Sequence, residues 1–295
     1  MPLIATLISS PANPALTETI ANRACEAVSA RGVDWLAQGI ACDIALPDSV
    51  NEQQAAAILR DSLGAAPVDL AIQQADRRRK KILIADMDST MIDQECIDEL
   101  ADEVGLKAQV ADITARSMNG EIAFEPALRE RVALLQGLDV AVIDSIIQNR
   151  ITLASGGRIL VATMRAHSAW TALVSGGFDL FTGPIAAMLG FDENRANRLI
   201  ESDKKLSGKV AEPILGRAAK AQALHTISAQ LNLTPADAIA VGDGANDLDM
   251  IQLAGTGVAL HAKPAVAAQA RIRIDHGDLT ALLYLQGYRQ EDFVS

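Results

Sequence analysis

Two carboxylates two residues apart, Asp86 and Asp88, follow directly on the apolar run Ile82-Leu83-Ile84-Ala85, with Ser89 and Thr90 behind them. At the end of an extended strand, side chains at i and i+2 leave on the same side. Like charges placed so close repel unless a cation neutralises them or one carboxyl keeps its proton. The pair therefore points to a hard-metal and acid–base site, set against the blander reading of turn-forming and helix-capping acids. A second acid-rich turn repeats the theme at Ala240-Val241-Gly242-Asp243-Gly244-Ala245-Asn246-Asp247. Its glycines allow close backbone approach, and Asp243 and Asp247 could share a cation with Asp86. The third glycine of a dinucleotide fingerprint is missing.

A third segment, Val174-Ser175-Gly176-Gly177-Phe178, ends an apolar run with a hydroxyl and two glycines. Such a turn can offer an O–H and free N–H groups to phosphate oxygens. The similar Ser155-Gly156-Gly157 precedes a helical pattern rather than following a strand, and reads as a helix start. No Gly-x-Ser-x-Gly elbow surrounds Ser175, which argues against a serine nucleophile. Lys220 sits in an Ala-rich helical stretch, where spacing alone reads as a solvated face. The histidines His167, His225, His261 and His276 are scattered and show no zinc spacing.

The elements that must carry these turns follow from periodicity. Leu3–Ile8, Trp35–Leu46 (with a turn) and Val68–Ile72 read as strands, and Ala15–Ala30 and Val50–Leu63 as helices. Their β-α-β-β-α-β order predicts a small α+β sandwich over residues 1–76. Residues 77–81, a run of five basic side chains, read as a solvated linker. From residue 82 onward the pattern changes. Apolar strands at Ile82–Ala85, Trp170–Val174, Ala238–Val241, Gly257–Leu260 and Arg271–Ile274 alternate with helical stretches at Gly157–His167, Leu215–Leu231, Leu248–Leu253 and Leu279–Gln286. That alternation predicts an α/β fold, a doubly wound parallel sheet with ligands at the carboxyl ends of its strands. Helical pattern without strands over about 95–150 predicts a cap inserted after the first strand, over that edge.

Composition narrows the classes. At about 150 residues per domain, 295 residues suggest two domains. Hydrophobic residues at 49% and charged residues at 21% exclude disorder across the whole chain. A net charge of −11 and only 3% aromatics argue against a nucleic-acid binder and against a polybasic membrane anchor. Cys25, Cys42 and Cys96 form no paired framework, the N-terminus shows no basic n-region, and no apolar run reaches about 18 residues. The expectation is a cytoplasmic protein with no membrane partner.

Taken in order, the Asp86-Met87-Asp88-Ser89-Thr90 turn, the Ser175-Gly176-Gly177 turn, Lys220 and the Asp243–Asp247 turn resemble the haloacid dehalogenase superfamily, and within it the phosphoserine phosphatase family. The resemblance spans about residue 81 to the C-terminus. It implies a catalytic domain over 82–295, a magnesium cofactor and a small phosphomonoester substrate, O-phosphoserine, hydrolysed in the last step of serine synthesis. It implies Asp86 as the nucleophile that becomes an aspartyl-phosphate, and Asp88 as the general acid and then base. Magnesium would rest on the Asp86 carboxylate, the Asp88 backbone carbonyl and Asp243, with Asp247 supporting from behind. Ser175, the Gly176 N–H, Lys220 and Asn246 would hold the phosphoryl group, which reverses the solvated reading of Lys220.

In the cap, the resemblance assigns Glu95 to the substrate's ammonium and Arg131 to its carboxylate, with Phe124 and Met118 as apolar lid residues. From spacing alone, Glu95 caps a helix and Arg131 lies on an exposed helical face. Residues 1–76 resemble an ACT-type regulatory module, but the loop Ser9–Ile20 lacks the acid and glycine usual in its ligand-binding form. That leaves a packing or dimerisation role, and with it a homodimer, open. Two rival functions remain: action on another small phosphomonoester, such as that of threonine or homoserine, and a non-catalytic amino-acid sensor. The acid pair Asp86 and Asp88 speaks against the sensor, which needs no nucleophile.

Overall fold

The computed structural model describes residues 2–295. In chain order its first elements are β1 (Leu3–Ser9), α1 (Glu18–Ala27), β2 (Val33–Ala37), β3 (Ala41–Ala45), α2 (Glu52–Leu63) and β4 (Val68–Gln74). Then come β5 (Ile82–Ala85) and four cap helices, α3 (Cys96–Asp102), α4 (Lys107–Met118), α5 (Phe124–Ala133) and α6 (Val142–Asn149). The chain continues through α7 (Gly157–Ala166), β6 (Trp170–Phe178), α8 (Asp179–Leu189), β7 (Glu193–Asn197), β8 (Leu199–Ser202) and β9 (Lys205–Val210). It closes with α9 (Arg217–Gln230), β10 (Ala238–Gly242), α10 (Leu248–Leu253), β11 (Thr256–Leu260), α11 (Pro264–Ala267), β12 (Ile272–Ile274) and α12 (Ala281–Leu285).

Packing groups these elements into two compact units. Among the described residues the first holds 2–81, 155–169 and 272–295, the second 82–154 and 170–271. The first unit is thus larger than the 1–76 module expected from sequence, because α7 and the C-terminal segment pack into it. Its antiparallel sheet runs β2-β3-β1-β4, with Ile4 opposite Ala45 and Thr6 opposite Ala71. Ala5 and Leu7 on one face meet Ala21, Ala24, Ala55 and Leu59 of α1 and α2 in an apolar core. Asn51 caps α2, accepting from the Gln54 N–H at 2.9 Å.

The polar side chains Thr6, Asp43, Asp69 and Gln73 of the same sheet are also buried, because the C-terminal segment and the basic run cover them. Gln73 donates to the Leu285 carbonyl at 2.9 Å, and Thr6 donates to Asp43, which also pairs with Arg78. Asp69 accepts N–H groups from Asp275, His276 and Gly277 at 2.8 to 3.2 Å. The run at 77–81 is therefore not wholly solvated. Arg78 neutralises a buried carboxylate, and the Arg79 guanidinium stacks 3.4 Å from the centre of the Tyr288 ring.

The second unit is built on parallel strands in the order β11-β10-β5-β6-β7. Ile82 through Ala85 are fully buried, as a parallel strand covered on both faces requires. β5 lies between β10 and β6, with Ala85 paired to Val241 on one side and Leu173 on the other. Register thus brings the turns after these three strands side by side at one sheet edge. Helices α3 to α6 form the insert between β5 and β6. Sequence periodicity passed over α8, β7 and the β8–β9 hairpin, whose strands are short and polar. The hairpin turns through Asp203 and Lys204 at φ 51° and 61°, the left-handed pair of a tight two-residue turn. Among the described residues, no helix is long and apolar enough to cross a membrane.

Candidate active site

Asp86 leaves the end of β5 with its N–H donated to the Val241 carbonyl of β10 at 3.0 Å. Its carboxylate accepts from Nζ of Lys220, which also donates to Asp247 Oδ1 at 2.6 Å. Lys220 is fully buried, not solvated. Burial alone would lower its pKa, but Asp247 and Asp86 outweigh that and raise it, so it stays an ammonium. Asp86 is pushed well above the usual carboxylate range by burial and by Asp247, with Lys220 acting against them.

Asp88 is held from two directions. Oδ1 accepts the Cys96 N–H at the start of α3 at 2.8 Å, and Oδ2 accepts the Ser175 hydroxyl at 3.2 Å. Burial raises its pKa, against the bonds from Cys96 and Ser175 that favour the ionised form. Ser175 Oγ accepts the Gly177 N–H at 2.8 Å, which locks the hydroxyl in the turn. A Cβ at Gly177 would stand 2.7 Å from Asp88 Oδ2, and one at Gly176 would stand 2.8 Å from Cζ of Phe124. Side chains at either position would close the space that these groups share.

Asp243 follows β10 and is nearly sealed from solvent. Its Oδ1 has a long 3.4 Å bond from Thr90, while Oδ2 has no hydrogen-bond partner, the nearest cation being Lys263 Nζ at 3.6 Å. Burial and Asp247 push its pKa up to about 7, against the pull of Lys263 and Lys220. Asp247 differs, because both its oxygens are engaged, by Lys220 and by the Gly244 N–H at 3.0 Å.

The cap closes the other side. A cavity is lined by Asp86, Asp88, Ser175, Gly176, Asp243 and Asn246 from the sheet edge, and by Glu95, Met118, Phe124 and Arg131 from the insert. Glu95 takes a hydrogen bond from Ser89 at 2.8 Å. Burial, then Asp88 and Asp243, raise its pKa well above the ordinary glutamate value. Arg131 is 2% exposed, and burial lowers its pKa against the pull of Glu95 and Asp98.

A sequence model of haloacid dehalogenase-like hydrolases matches residues 83–252, the segment that carries all these turns. The chain belongs to the haloacid dehalogenase-like hydrolases. Within that family it falls in the phosphoserine phosphatase branch, and it is a phosphatase. A phosphoserine phosphatase of Polaromonas sp. is 44% identical over 210 residues, covering 70% of this chain and 89% of that one. One from Streptomyces coelicolor is 39% identical over 236 residues, 79% of this chain but 57% of that longer protein. Among solved structures, a family hydrolase from Salmonella enterica serovar Typhi superposes with TM-score 0.84 at 29% identity over 96% of this chain and 98% of its own. A phospho-aspartyl intermediate analogue of phosphoserine phosphatase superposes with TM-score 0.67 at 39% identity over 70% of this chain and 98% of its own.

The residues present fit the divalent cation that haloacid dehalogenase-like hydrolases generally use. Carboxylate oxygens of Asp86, Asp243 and Asp247 lie within 4.8 Å of one another, and all are buried. The donors are oxygen only, which suits a hard cation. Asp243 Oδ2, buried without a hydrogen-bond partner, is an acceptor that such an ion would satisfy.

The twelve residues that the resemblance assigns to the site come together here. Ten line the cavity, while Lys220 and Asp247 are joined to Asp86 by hydrogen bonds. The Ser155 turn instead opens α7 in the other unit, with Gly156 at φ 79°. Sequence reasoning missed Asn197. This buried side chain donates to the Gly176 carbonyl at 2.8 Å and accepts from the Leu215 N–H at 2.6 Å, tying the Ser175-Gly176-Gly177 turn to the approach to α9. It also missed Lys263 beside Asp243, and Thr114 beside Arg131. None of these lies in a recognisable local pattern.

Proposed function

We propose that the chain hydrolyses O-phosphoserine to serine and phosphate with magnesium, as the last step of serine synthesis in the cytoplasm. One observation carries the substrate reading. The cavity that holds the Asp86 and Asp88 pair also holds Glu95 and the buried Arg131, an acid and a base. An amino acid's ammonium and carboxylate would compensate both.

In this reading the Asp86 carboxylate attacks phosphorus and the bond to the serine oxygen breaks, while Asp88 gives that oxygen its proton. Asp88 then takes a proton from water as it attacks the aspartyl-phosphate, and phosphate leaves with Asp86 restored. The upward shift of Asp88 suits the proton-bearing form that the first step needs. Ser175, the Gly176 N–H, Lys220 and Asn246 hold the phosphoryl oxygens as charge develops. Magnesium, when bound on Asp86, the Asp88 carbonyl and Asp243, supplies neutralising charge to the phosphoryl group. The cap residues Met118 and Phe124 keep bulk water out. The solved phospho-aspartyl analogue of a 39% identical phosphoserine phosphatase supports the covalent route.

The test is phosphate release from a panel of phosphomonoesters, with magnesium and with chelator, by wild type and Asp86→Asn. O-phosphoserine should be preferred, and release should stop with chelator or with the variant. Equal release by Asp86→Asn would overturn the mechanism. Preference for an ester without amino and carboxylate groups would overturn the substrate.

A further inference from the structure

Among the described residues no carboxylate forms a direct ion pair with Arg131. Its Nε donates to the Ala127 carbonyl one turn back on α5, at 3.1 Å, and Nη1 donates to Thr114 Oγ1 at 3.0 Å. Nη2 donates to none of the described residues. Thr114, buried on α4, stands 2.8 Å from Asp98 Oδ1 and 3.0 Å from the Val110 carbonyl. Its single proton can serve one acceptor at a time, and the carboxylate is the nearer. Asp98 lies on α3, one turn beyond Glu95. A chain of guanidinium, hydroxyl and carboxylate therefore crosses three cap helices and ends on the helix that starts beside Glu95.

The interposed hydroxyl has a physical consequence. Arg131 is sealed from solvent and needs a nearby negative charge and satisfied donors. Were Asp98 to pair with it directly and side by side, that carboxylate would occupy the guanidinium fork. With Thr114 between them, the compensating charge stays close while Nη2 remains for a ligand. A long side chain that would otherwise sample many rotamers is fixed at two of its nitrogens.

From this geometry we infer that Thr114 and Asp98 are positioning residues, which set the reach between Arg131 and Glu95 and thereby the selection of a substrate bearing both a carboxylate and an ammonium. The inference rests on the substrate reading above. It goes beyond that reading by placing part of the selectivity in two residues that need not touch substrate.

The experiment compares steady-state kinetics on O-phosphoserine and on an aryl phosphate lacking both charges, for wild type, Thr114→Val, Thr114→Ser, Asp98→Asn and Arg131→Ala. Thr114→Val should raise KM for O-phosphoserine about tenfold, the size of one hydrogen bond to a charged group, and change kcat less. Aryl phosphate turnover should not change, Thr114→Ser should restore the wild-type KM, and Asp98→Asn should fall between. Equal losses on both substrates would show a merely structural role and overturn the inference. So would an unchanged KM in Thr114→Val beside a raised one in Arg131→Ala, which leaves the substrate reading standing. No phosphoserine-specific loss in Arg131→Ala would instead overturn the substrate reading, and the inference with it.

Discussion

Asp69 in the first unit and Asp243 in the second are both buried carboxylates, 5% and 2% exposed, and burial raises the pKa of each. They differ in what surrounds the oxygens. Asp69 accepts backbone N–H groups from three successive residues, which replace the water it lost. Asp243 has one long bond from Thr90, a distant lysine and an oxygen with no hydrogen-bond partner. The first arrangement is complete and holds a loop. The second is incomplete and fits a cation. A buried acid therefore marks chemistry where the protein's own donors fall short, and structure where they suffice.

The largest effect belongs to Asp86, the proposed nucleophile: Asp86→Asn should lower phosphate release by about four orders of magnitude, as loss of a covalent group does. Calorimetry on the same metal-free variant should show no loss of stability, since the change removes a charge from an acid cluster. A fall in Tm would mean that Asp86 is there for folding.

Next, Lys220→Met strands Asp86 and Asp247 without their shared cation. Chemical denaturation should show a loss of about 3–5 kcal/mol, the cost of breaking a buried pair by removing one partner. An unchanged midpoint would contradict a buried ammonium shared by Asp86 and Asp247.

A smaller pair of effects tests the two acids directly. Asp69→Ala should cost about 1–3 kcal/mol for backbone donors left unpaired, equally with and without magnesium. Asp243→Asn should leave metal-free stability unchanged or higher and abolish the gain in Tm on adding magnesium. Similar behaviour of the two variants would mean that both acids serve the fold alone.

The smallest effect is the pH dependence of the metal-free chain. Asp243, at about 7 when folded, lies above its unfolded value, so the folded state binds more protons. Its contribution to stability is fully present below about pH 4 and is lost as pH rises through 7, by at most about 1.4 kcal/mol per unit. The magnesium-induced rise in Tm should accordingly grow from pH 5 to pH 8. A constant increment would mean that no proton is displaced.

Much of the second unit was legible because its information is local. Ile82–Ala85 and Ala238–Val241 are unbroken apolar runs, each ending in acids, and a strand that must stop in a polar turn reads the same in any context. The β8–β9 hairpin was not legible, since its strands lack an apolar run and its turn relies on two non-glycine residues at positive φ. Lys220 was misread by spacing, because an Ala-rich helix carries no sign of which face will meet two carboxylates. Only its order among the other motifs corrected it. Thr114 and Asn197 had no signal, since a lone threonine or asparagine gains its role from a partner many residues away.

The boundary between the units followed the same rule. The pattern at 1–76 set out its strands and helices, yet the buried Thr6, Asp43, Asp69 and Gln73 required a cover that no local pattern could name. The C-terminal segment and Arg78 supply it.

The sequence by itself determined the apolar strands, the acid-bearing turns that follow them and the helical insert, because periodicity and turn chemistry act over a few neighbouring residues. Tertiary structure alone decided which carboxylates are compensated by N–H groups and which by Lys220 alone, and that Asp243 is left open. It also decided that Arg131 faces its charge partner through a hydroxyl. Those outcomes depend on groups brought within hydrogen-bond reach across long stretches of chain, a distance that spacing in the sequence does not set.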